Sequence, residues 1–353
     1  MLKTSDNQYK YQQLKDYLIA KISSGQYSSN FQLASESQLC EQFNLSRNTT
    51  RQALQELEQA GYIYRIRGKG TFVRENIPQK SKKIAFLIFD TNYMTYPVTA
   101  NLIKGIDEVL CKNGYALDIL ASKRSLTTEQ IDKLKSTYAG FLIGAYQIEE
   151  AILSELLNSS CPYFFVKNYL DAYKDKAILI DFEKAGFLSA QHLITCGCQN
   201  LGLVYAGEEI NISRDFANGV RKAALEYGCM LKQINQKICS FNSTLDSSTI
   251  ANEFITQKVD GIACFGDEFA LSLLEEFKQK QLYIPQDIKV VGCNNILLAK
   301  FSQPSLTTLE LPTYELGQLA ANHLLNVING QPLDKKIVLE PELIIRKSTN
   351  NKQ

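Results

Sequence analysis

The sequence predicts two folds in tandem: a small α+β unit of three helices and a basic hairpin, then a larger region of alternating strands and helices forming a two-lobed α/β domain. Three observations carry this expectation. The 353 residues exceed what one hydrophobic core usually supports, so two or three compact units are expected. Charge is divided unevenly: residues 1–83 hold 13 Lys and Arg against 7 Asp and Glu, and the remaining 270 hold 25 against 30, so a net of +6 precedes a net of −5 in a chain of net +1. The hydrophobic pattern also changes at Lys83, from helical spacing to short continuous apolar runs. A basic head on a mildly acidic body suggests that the first meets a polyanion and the second does something else.

The first helix is read from residues 10–24, where Tyr11, Leu14, Leu18 and Ile22 recur at helical spacing and Gly25 follows as a stop. A second, of about two turns, begins at Ser35, with Gln38 three residues on as a capping box and with Leu39 and Phe43 as its apolar face. Ser46 caps a third, which runs to Ala60 and closes at Gly61, and whose inward stripe is Ala53, Leu54, Leu57 and Ala60. Arg47, Asn48, Arg51 and Gln55 lie on its other face. Next, "YIYRIRGKGTFV" alternates, Ile63, Arg65 and Arg67 against Tyr64 and Ile66, and Gly68 and Gly70 bracket Lys69 at a tight tip.

Two helices joined by a short turn, the second offering Arg and Asn from its N-terminal half, suit entry into a DNA major groove. Arginine pairs with both guanine acceptors there, asparagine with adenine, and Thr49 and nearby amides reach phosphate. Helix and hairpin together predict a winged helix-turn-helix whose basic residues track one stretch of double-stranded DNA. The alternative, a solvated surface on an ordinary helical domain, fits a lone Arg-rich helix better than this ordered series of cap, turn, helix and glycine-tipped hairpin.

These residues closely resemble the GntR family of bacterial transcription regulators, whose pattern is Leu-Pro-Ser-Glu, Ser-Arg-x-Thr-Val-Arg-x-Ala-Leu and Gly-x-Gly-Thr-Phe-Val. The chain reads "LASE" at 33–36, "SRNTTRQAL" at 46–54 and "GKGTFV" at 68–73. The resemblance implies DNA contacts from Arg47, Asn48, Thr49 and Arg51 on the recognition helix and from Arg67, Gly68 and Lys69 on the wing. Ala34 replaces the family's usual proline, and Ser37 stands where a DNA-contacting arginine is common.

The domain boundaries expected are 1–73 for the reader, 74–83 for a polar linker, "RENIPQKSKK", and 84–353 for the rest. In that last part "IAFLIF", "YALDIL", "GFLIG", "YFFV", "AILID", "LGLVY", "GIACF" and "KVVGC" read as buried strands separated by helix-length or loop-length sequence, as in residues 98–114. Such alternation argues for doubly wound parallel sheets in two lobes, with ligands beyond the carboxyl ends of the strands. Those ends carry Asp90, Tyr93, Tyr96, Lys167, Asn168, Asp181, Arg214, Asp267, Asn294 and Asn295. Amides, carboxylates, an arginine and aromatic faces suit a polyhydroxylated ligand. Helix capping explains Asp and Asn after strands equally well.

Residues 84–347 look like the effector domain of LacI-type repressors, which is similar to periplasmic sugar-binding proteins; "HLITCGCQNLGLVY", "IPQDIKVVGCNN" and "SLTTLELPTYELGQLAANHLL" carry the likeness. A GntR-type reader joined to such a periplasmic-binding-protein-like sensor most resembles the arabinose-responsive repressor group, AraR. The resemblance implies release from an operator by a sugar, L-arabinose first, with a different sugar or a sugar phosphate as the alternative. A symmetric reading of two half-sites implies a homodimer, and Tyr93, Tyr96, Asn168, Asp181, Arg214, Asp267 and Asn294 are the strand-end residues expected to contact the effector. The chain departs from the pattern at Asn294, in place of an aspartate, and at Gly266, in place of an asparagine. Arg214 stands five residues before Gly219, where LacI has its sugar-binding arginine; many relatives carry theirs three before, where Phe216 lies here.

Rival classes find less support. No stretch of eighteen apolar residues occurs and Met1 to Lys10 is polar, so neither a membrane span nor an export signal is expected, which opposes a transport-type sugar-binding protein. Nine scattered cysteines read as reduced, mostly buried thiols of a cytoplasmic protein. His192 and His323 sit in helical patterns away from any Ser or Cys nucleophile motif, and no P-loop, GxGxxG or HExxH occurs, so no catalytic residue, metal or cofactor is expected.

Overall fold

The computed structural model describes residues 5–23, 25–75, 81–88, 97–121, 128–144, 161–239, 247–331 and 337–350, and the chain divides into compact units Met1–Ser81 and Lys82–Gln353. In the small unit α1 (Ser5–Ser23), α2 (Glu36–Phe43) and α3 (Arg47–Gln59) precede a hairpin of β1 (Ile63–Ile66) and β2 (Gly70–Val73). Helix α1 begins at Ser5, more than a turn before the expected start at residue 10, and the side chain of Tyr11 lies outside the described residues.

Leu14, Leu18, Ile22, Leu39, Ala53, Leu54, Leu57, Ile63 and Val73 share one buried cluster. The capping box forms as expected: the Gln38 amide donates to Ser35 Oγ at 3.3 Å and the Ser35 amide to Gln38 Oε1 at 2.9 Å. Gly61 is left-handed at φ 80. The stripe of α3 differs in one place. Ala60 is exposed because the helix ends at Gln59, whereas Thr50, fully buried, completes the i, i+3, i+4, i+7 face with Ala53, Leu54 and Leu57 and receives the Cys40 thiol at 3.2 Å.

The large unit contains two six-stranded sheets. Strands β3 (Lys83–Ile88), β4 (Ala116–Ala121), β5 (Gly140–Ile143), β6 (Tyr163–Val166), β7 (Ala177–Ile180) and β13 (Val338–Leu339) form the first, in the order β13-β7-β6-β5-β3-β4, all parallel. Strands β8 (Leu201–Tyr205), β9 (Gln236–Ile238), β10 (Gly261–Cys264), β11 (Lys289–Cys293), β12 (Thr307–Glu310) and β14 (Glu342–Ile344) form the second, in the order β14-β12-β11-β10-β8-β9. Only β14 runs antiparallel there. Each strand read from the sequence is present, and the strands missed are β9, β12, β13 and β14. β5, β6, β7, β8 and β10 are buried along their whole length, as parallel strands covered on both faces must be.

The helices are α4 (Pro97–Lys112) and α5 (Thr128–Thr137), then α6 (Phe182–Thr195), α7 (Asn211–Glu226), α8 (Ser247–Thr256), α9 (Asp267–Gln279), α10 (Leu297–Phe301) and α11 (Thr313–Ile328). The chain passes from the first lobe to the second between β7 and α6, returns between β12 and α11, and passes again between β13 and β14. Each crossing helix packs on the first helix of its lobe through a pair of glycines. A Cβ on Gly186 of α6 would stand 1.9 Å from the Phe216 carbonyl and one on Gly219 of α7 1.9 Å from that of Glu183. In the other lobe a Cβ on Gly105 of α4 would meet the Tyr314 carbonyl at 2.1 Å and one on Gly317 of α11 that of Leu102 at 2.2 Å. One core runs through both lobes, and Phe265 sits between Phe182 and Phe216 with centroids 5.7 and 5.6 Å away. Among the described residues no helix is long and apolar enough to cross a membrane.

Backbone contact of this kind admits no side chain. Gly219→Val is expected to lower the melting midpoint of the large unit by about 5 °C or more, since overpacking by one to three methyl groups costs about 1–3 kcal/mol. Calorimetry on the full chain reads it; an unchanged midpoint contradicts the close packing of α6 on α7.

Candidate DNA-reading surface and effector cleft

In the small unit Ser46 caps α3 by accepting the Thr49 amide at 3.2 Å, and its hydroxyl pairs with that of Thr49 at 2.7 Å. Thr49 is thereby half-buried, while Arg47, Asn48 and Arg51 are exposed on the N-terminal half of α3. At the wing tip the Lys69 amide donates to the Ile66 carbonyl at 3.0 Å with Gly68 at φ 79, which is the type II turn pattern, and Arg67, Gly68 and Lys69 are all exposed. The structure therefore presents in solvent every basic residue expected to touch DNA.

The contacts fixing helix and wing together were not legible as roles in the sequence. Glu36, the acid of "LASE", holds Arg51 of α3 at 3.2 Å and Arg65 of β1 at 3.7 Å, and Arg65 also reaches Glu58 at 3.3 Å. Arg65 is thus exposed but occupied by the acids of α2 and α3. Residues 30–33 add a third edge to the hairpin, Leu33 donating to the Thr71 carbonyl at 2.9 Å, and Gln32 Nε2 donates to the Lys69 carbonyl at 2.8 Å. Gly70, at φ 119, leaves room for it, since a Cβ would lie 2.9 Å from that Gln32 nitrogen. A wing tip pinned in this way offers its cations from a fixed backbone.

In the large unit the strand ends of both lobes meet. Segment 169–176, which follows β6, is clasped to the start of α7: Tyr169 donates its hydroxyl to Asp215 Oδ2 at 2.8 Å, Asn211 Nδ2 donates to the Tyr169 carbonyl at 2.7 Å, and Arg214 pairs with Asp171 at 2.9 Å. Burial pushes the Asp215 carboxyl up, against the Tyr169 hydrogen bond and the cations Lys174 and Arg214. Arg214, an expected sugar contact, is therefore part of a clasp between lobes.

The other expected contacts are distributed unequally. Tyr93 and Tyr96, like Asp90, lie outside the described residues. Asn168 is buried beside Lys167 at the end of β6, and Lys167 is itself left-handed at φ 72. Asp181 caps α6, accepting the Lys184 amide at 2.8 Å, so here the capping explanation accounts for the residue. Asp267 is fully buried; it takes the Thr308 hydroxyl at 2.6 Å and the Ile296 amide at 2.8 Å, and a Cβ on Gly292 would collide with it. Its carboxylate thereby fixes the 294–296 turn, in which Asn294 and Asn295 are both left-handed at φ 117 and 47. Asn295 is held by Glu310 and, at 2.6 Å, by Arg346, whereas Asn294 is half-buried and anchored through its amide to the Leu309 carbonyl. A sparsely populated backbone conformation kept by surrounding bonds is typical of ligand-contact turns.

The histidines are structural: His192 Nε2 pairs with the Thr349 hydroxyl at 2.8 Å, and His323 packs edge-on against Phe164. All nine cysteines are free thiols, four of them buried. Among the described residues no group of three His, Cys, Asp or Glu could hold a metal ion.

Comparison with known proteins follows the same division. Residues 10–73 match the bacterial regulatory proteins of the gntR family, and residues 190–349 match the periplasmic binding protein-like domain. The chain thus joins a helix-turn-helix domain that matches the gntR family to a two-lobed α/β domain that matches the periplasmic binding protein-like domain and shares its fold with transcriptional regulators of known structure. It is 29% identical to the arabinose metabolism transcriptional repressor of Geobacillus stearothermophilus, covering 96% of this chain and 97% of that one. It is 25% identical to that of Halalkalibacterium halodurans, covering 96% of each. The fold is similar to that of the transcriptional regulator CelR in its cellobiose complex, with a TM-score of 0.68 at 19% identity over 86% of this chain and 90% of that one. It is also similar to the ribose operon repressor of Lactobacillus acidophilus, with a TM-score of 0.66 at 23% identity over 77% and 100%.

Burial pushes the Asp267 carboxyl up to about 6 from an ordinary 3.8, against the lowering by its two donors. The folded protein then holds that proton more tightly than the unfolded chain. Its contribution to stability is present below pH 3.8 and lost as pH rises through about 6. Relative to Asp267→Asn, the native chain should lose up to about 3 kcal/mol across that window, measured as unfolding free energy against pH. A difference that stays constant from pH 4 to 6 contradicts this.

Proposed function

We propose that the chain is a cytoplasmic, homodimeric repressor of sugar-utilisation genes that leaves its operator when L-arabinose enters the cleft between its lobes. The observation that carries the reading is the likeness to two arabinose metabolism repressors along 96% of the chain, reader and sensor together. Arg47, Asn48, Thr49 and Arg51 read or grip the major groove, and Arg67, Gly68 and Lys69 follow the backbone beside it. Asn168, Arg214 and Asn294, with Tyr93 and Tyr96, flank the sugar; Asp181 and Asp267 serve it indirectly by fixing α6 and the 294–296 turn. The chain carries out no catalysis and needs no cofactor.

Release requires that sugar and DNA favour different states. A full reversal of populations needs a preference of about 5.5 kcal/mol. The clasp of Tyr169, Asp171, Asn211, Arg214 and Asp215 already joins the lobes, so sugar has to add to or rearrange these contacts to change how the readers are presented. Two readers are needed because one winged helix spans too few bases, and a two-fold dimer matches two half-sites. For the dimer contact, α10 offers Leu297, Leu298 and Phe301 on one side, 72%, 64% and 66% exposed, above a buried Ala299. Three large apolar side chains in water on a single helical turn and a half are what a subunit interface covers.

Thermal unfolding of the pure chain with L-arabinose, set against other pentoses, hexoses, disaccharides and sugar phosphates, tests the effector: the midpoint should rise with L-arabinose. A rise with another sugar instead moves the regulated pathway, and a flat panel removes the sugar reading. Arg51→Ala should weaken operator binding by about 1–3 kcal/mol, seen by fluorescence anisotropy, with sugar affinity unchanged; loss of both makes Arg51 a structural residue. Phe301→Glu should convert the dimer to monomer in sedimentation, and a dimer that persists excludes the α10 face.

A further inference from the structure

At the ends of β10 and β11 the second lobe brings Gly266, Asp267, Glu268, Asn294 and Asn295 toward the cleft. Gly266 has no side chain, Asp267 is consumed by Thr308 and Ile296, and Asn295 by Glu310 and Arg346. Glu268 is different. It stands in the first turn of α9, and its Oε2 is buried with no hydrogen-bond donor among the described residues. From the first lobe Lys167, 3% exposed, stands at the end of β6; burial pushes the Glu268 carboxyl up, and the charge of Lys167 works against that. A buried cation and a half-buried acid therefore stand at the strand ends of opposite lobes, and the acid has a buried acceptor oxygen left over.

A carboxylate oxygen shut away from water without a donor is unfavourable unless something else supplies the proton. The sugar-effector reading, on which this inference rests, leaves open what the sugar must carry. We propose that Glu268 and Lys167 form a charge-balanced clamp across the cleft that reads neighbouring hydroxyls of an uncharged sugar and excludes phosphorylated or carboxylated ones. One hydroxyl donates to Glu268 Oε2, and its neighbour accepts from the ammonium of Lys167, since each hydroxyl can play either part. A phosphate or carboxylate in the same place sets its negative charge against that of Glu268, while the lysine that could balance it already faces an acid. Because the two residues belong to different lobes, the same hydroxyl pair also draws the lobes together.

Calorimetric titration of the full chain with L-arabinose, D-ribose, D-ribose 5-phosphate and D-galacturonate tests the clamp. The native chain should bind a neutral pentose and bind the 5-phosphate and the uronate at least tenfold more weakly. Glu268→Gln, which keeps shape and removes charge, should lose at least tenfold in affinity for the neutral sugar and shift its ratio toward the anions by a similar factor. Native binding of an anionic sugar as tightly as a neutral one overturns the clamp, as does native-like neutral-sugar affinity in a Glu268→Gln chain that melts cooperatively. The comparison on the native chain decides the matter even if that variant unfolds. Binding of no sugar at all removes the sugar-effector reading itself, which is a different result from binding without charge discrimination.

Discussion

The architecture of the sensor depends on two places where helices touch backbone to backbone. Gly186 and Gly219 admit α6 onto α7, and Gly105 and Gly317 admit α11 onto α4. Both α6 and α11 follow a strand of the opposite lobe, so these contacts seat each crossing segment as it arrives. With the crossings seated, the carboxyl ends of the parallel strands of both sheets open on the same space. Every polar contact described between the lobes follows from that placement, including the clasp of Tyr169 with Asp215 and of Arg214 with Asp171.

The reader is organised by a smaller device. Its cations lie on two elements that would diverge without a common anchor, and Glu36 supplies one by holding Arg51 and Arg65 together. These pairs are half-exposed and each contributes little to stability. Their value is orientation: they present a helix and a wing as one surface while Gln32 fixes the tip from behind. Charge asymmetry along the chain fits the proposed division of labour, a basic unit suited to phosphate and an acidic unit suited to an uncharged sugar.

Much of this was legible in the sequence, for reasons that differ by element. Caps are local, so Ser35, Gln38, Ser46 and Gly61 could be read from neighbours within a turn. The central strands announce themselves as continuous apolar runs. By contrast β9 is a three-residue edge strand, β13 and β14 have two and three residues, and β12 carries threonines whose burial depends on the C-terminal segment, so none shows a strong local pattern. Site residues fared less evenly because position after a strand says nothing of what a side chain meets. Asp181 turned to its own helix and Asp267 to the next loop, whereas Glu268, one residue further on and without a sequence signal of its own, was left with a vacant acceptor.

The proposed regulation stands on one coupling: a sugar in the cleft must change the grip on DNA. Selection of bound duplexes from a random pool by the full chain, followed by elution with neutral sugars, measures that coupling directly and requires no operator sequence at the outset. Sites with two-fold symmetry should be enriched and should be released by L-arabinose at concentrations that saturate the protein. Enriched sites that stay bound whatever sugar is added, even one shown to occupy the protein, would contradict the coupling.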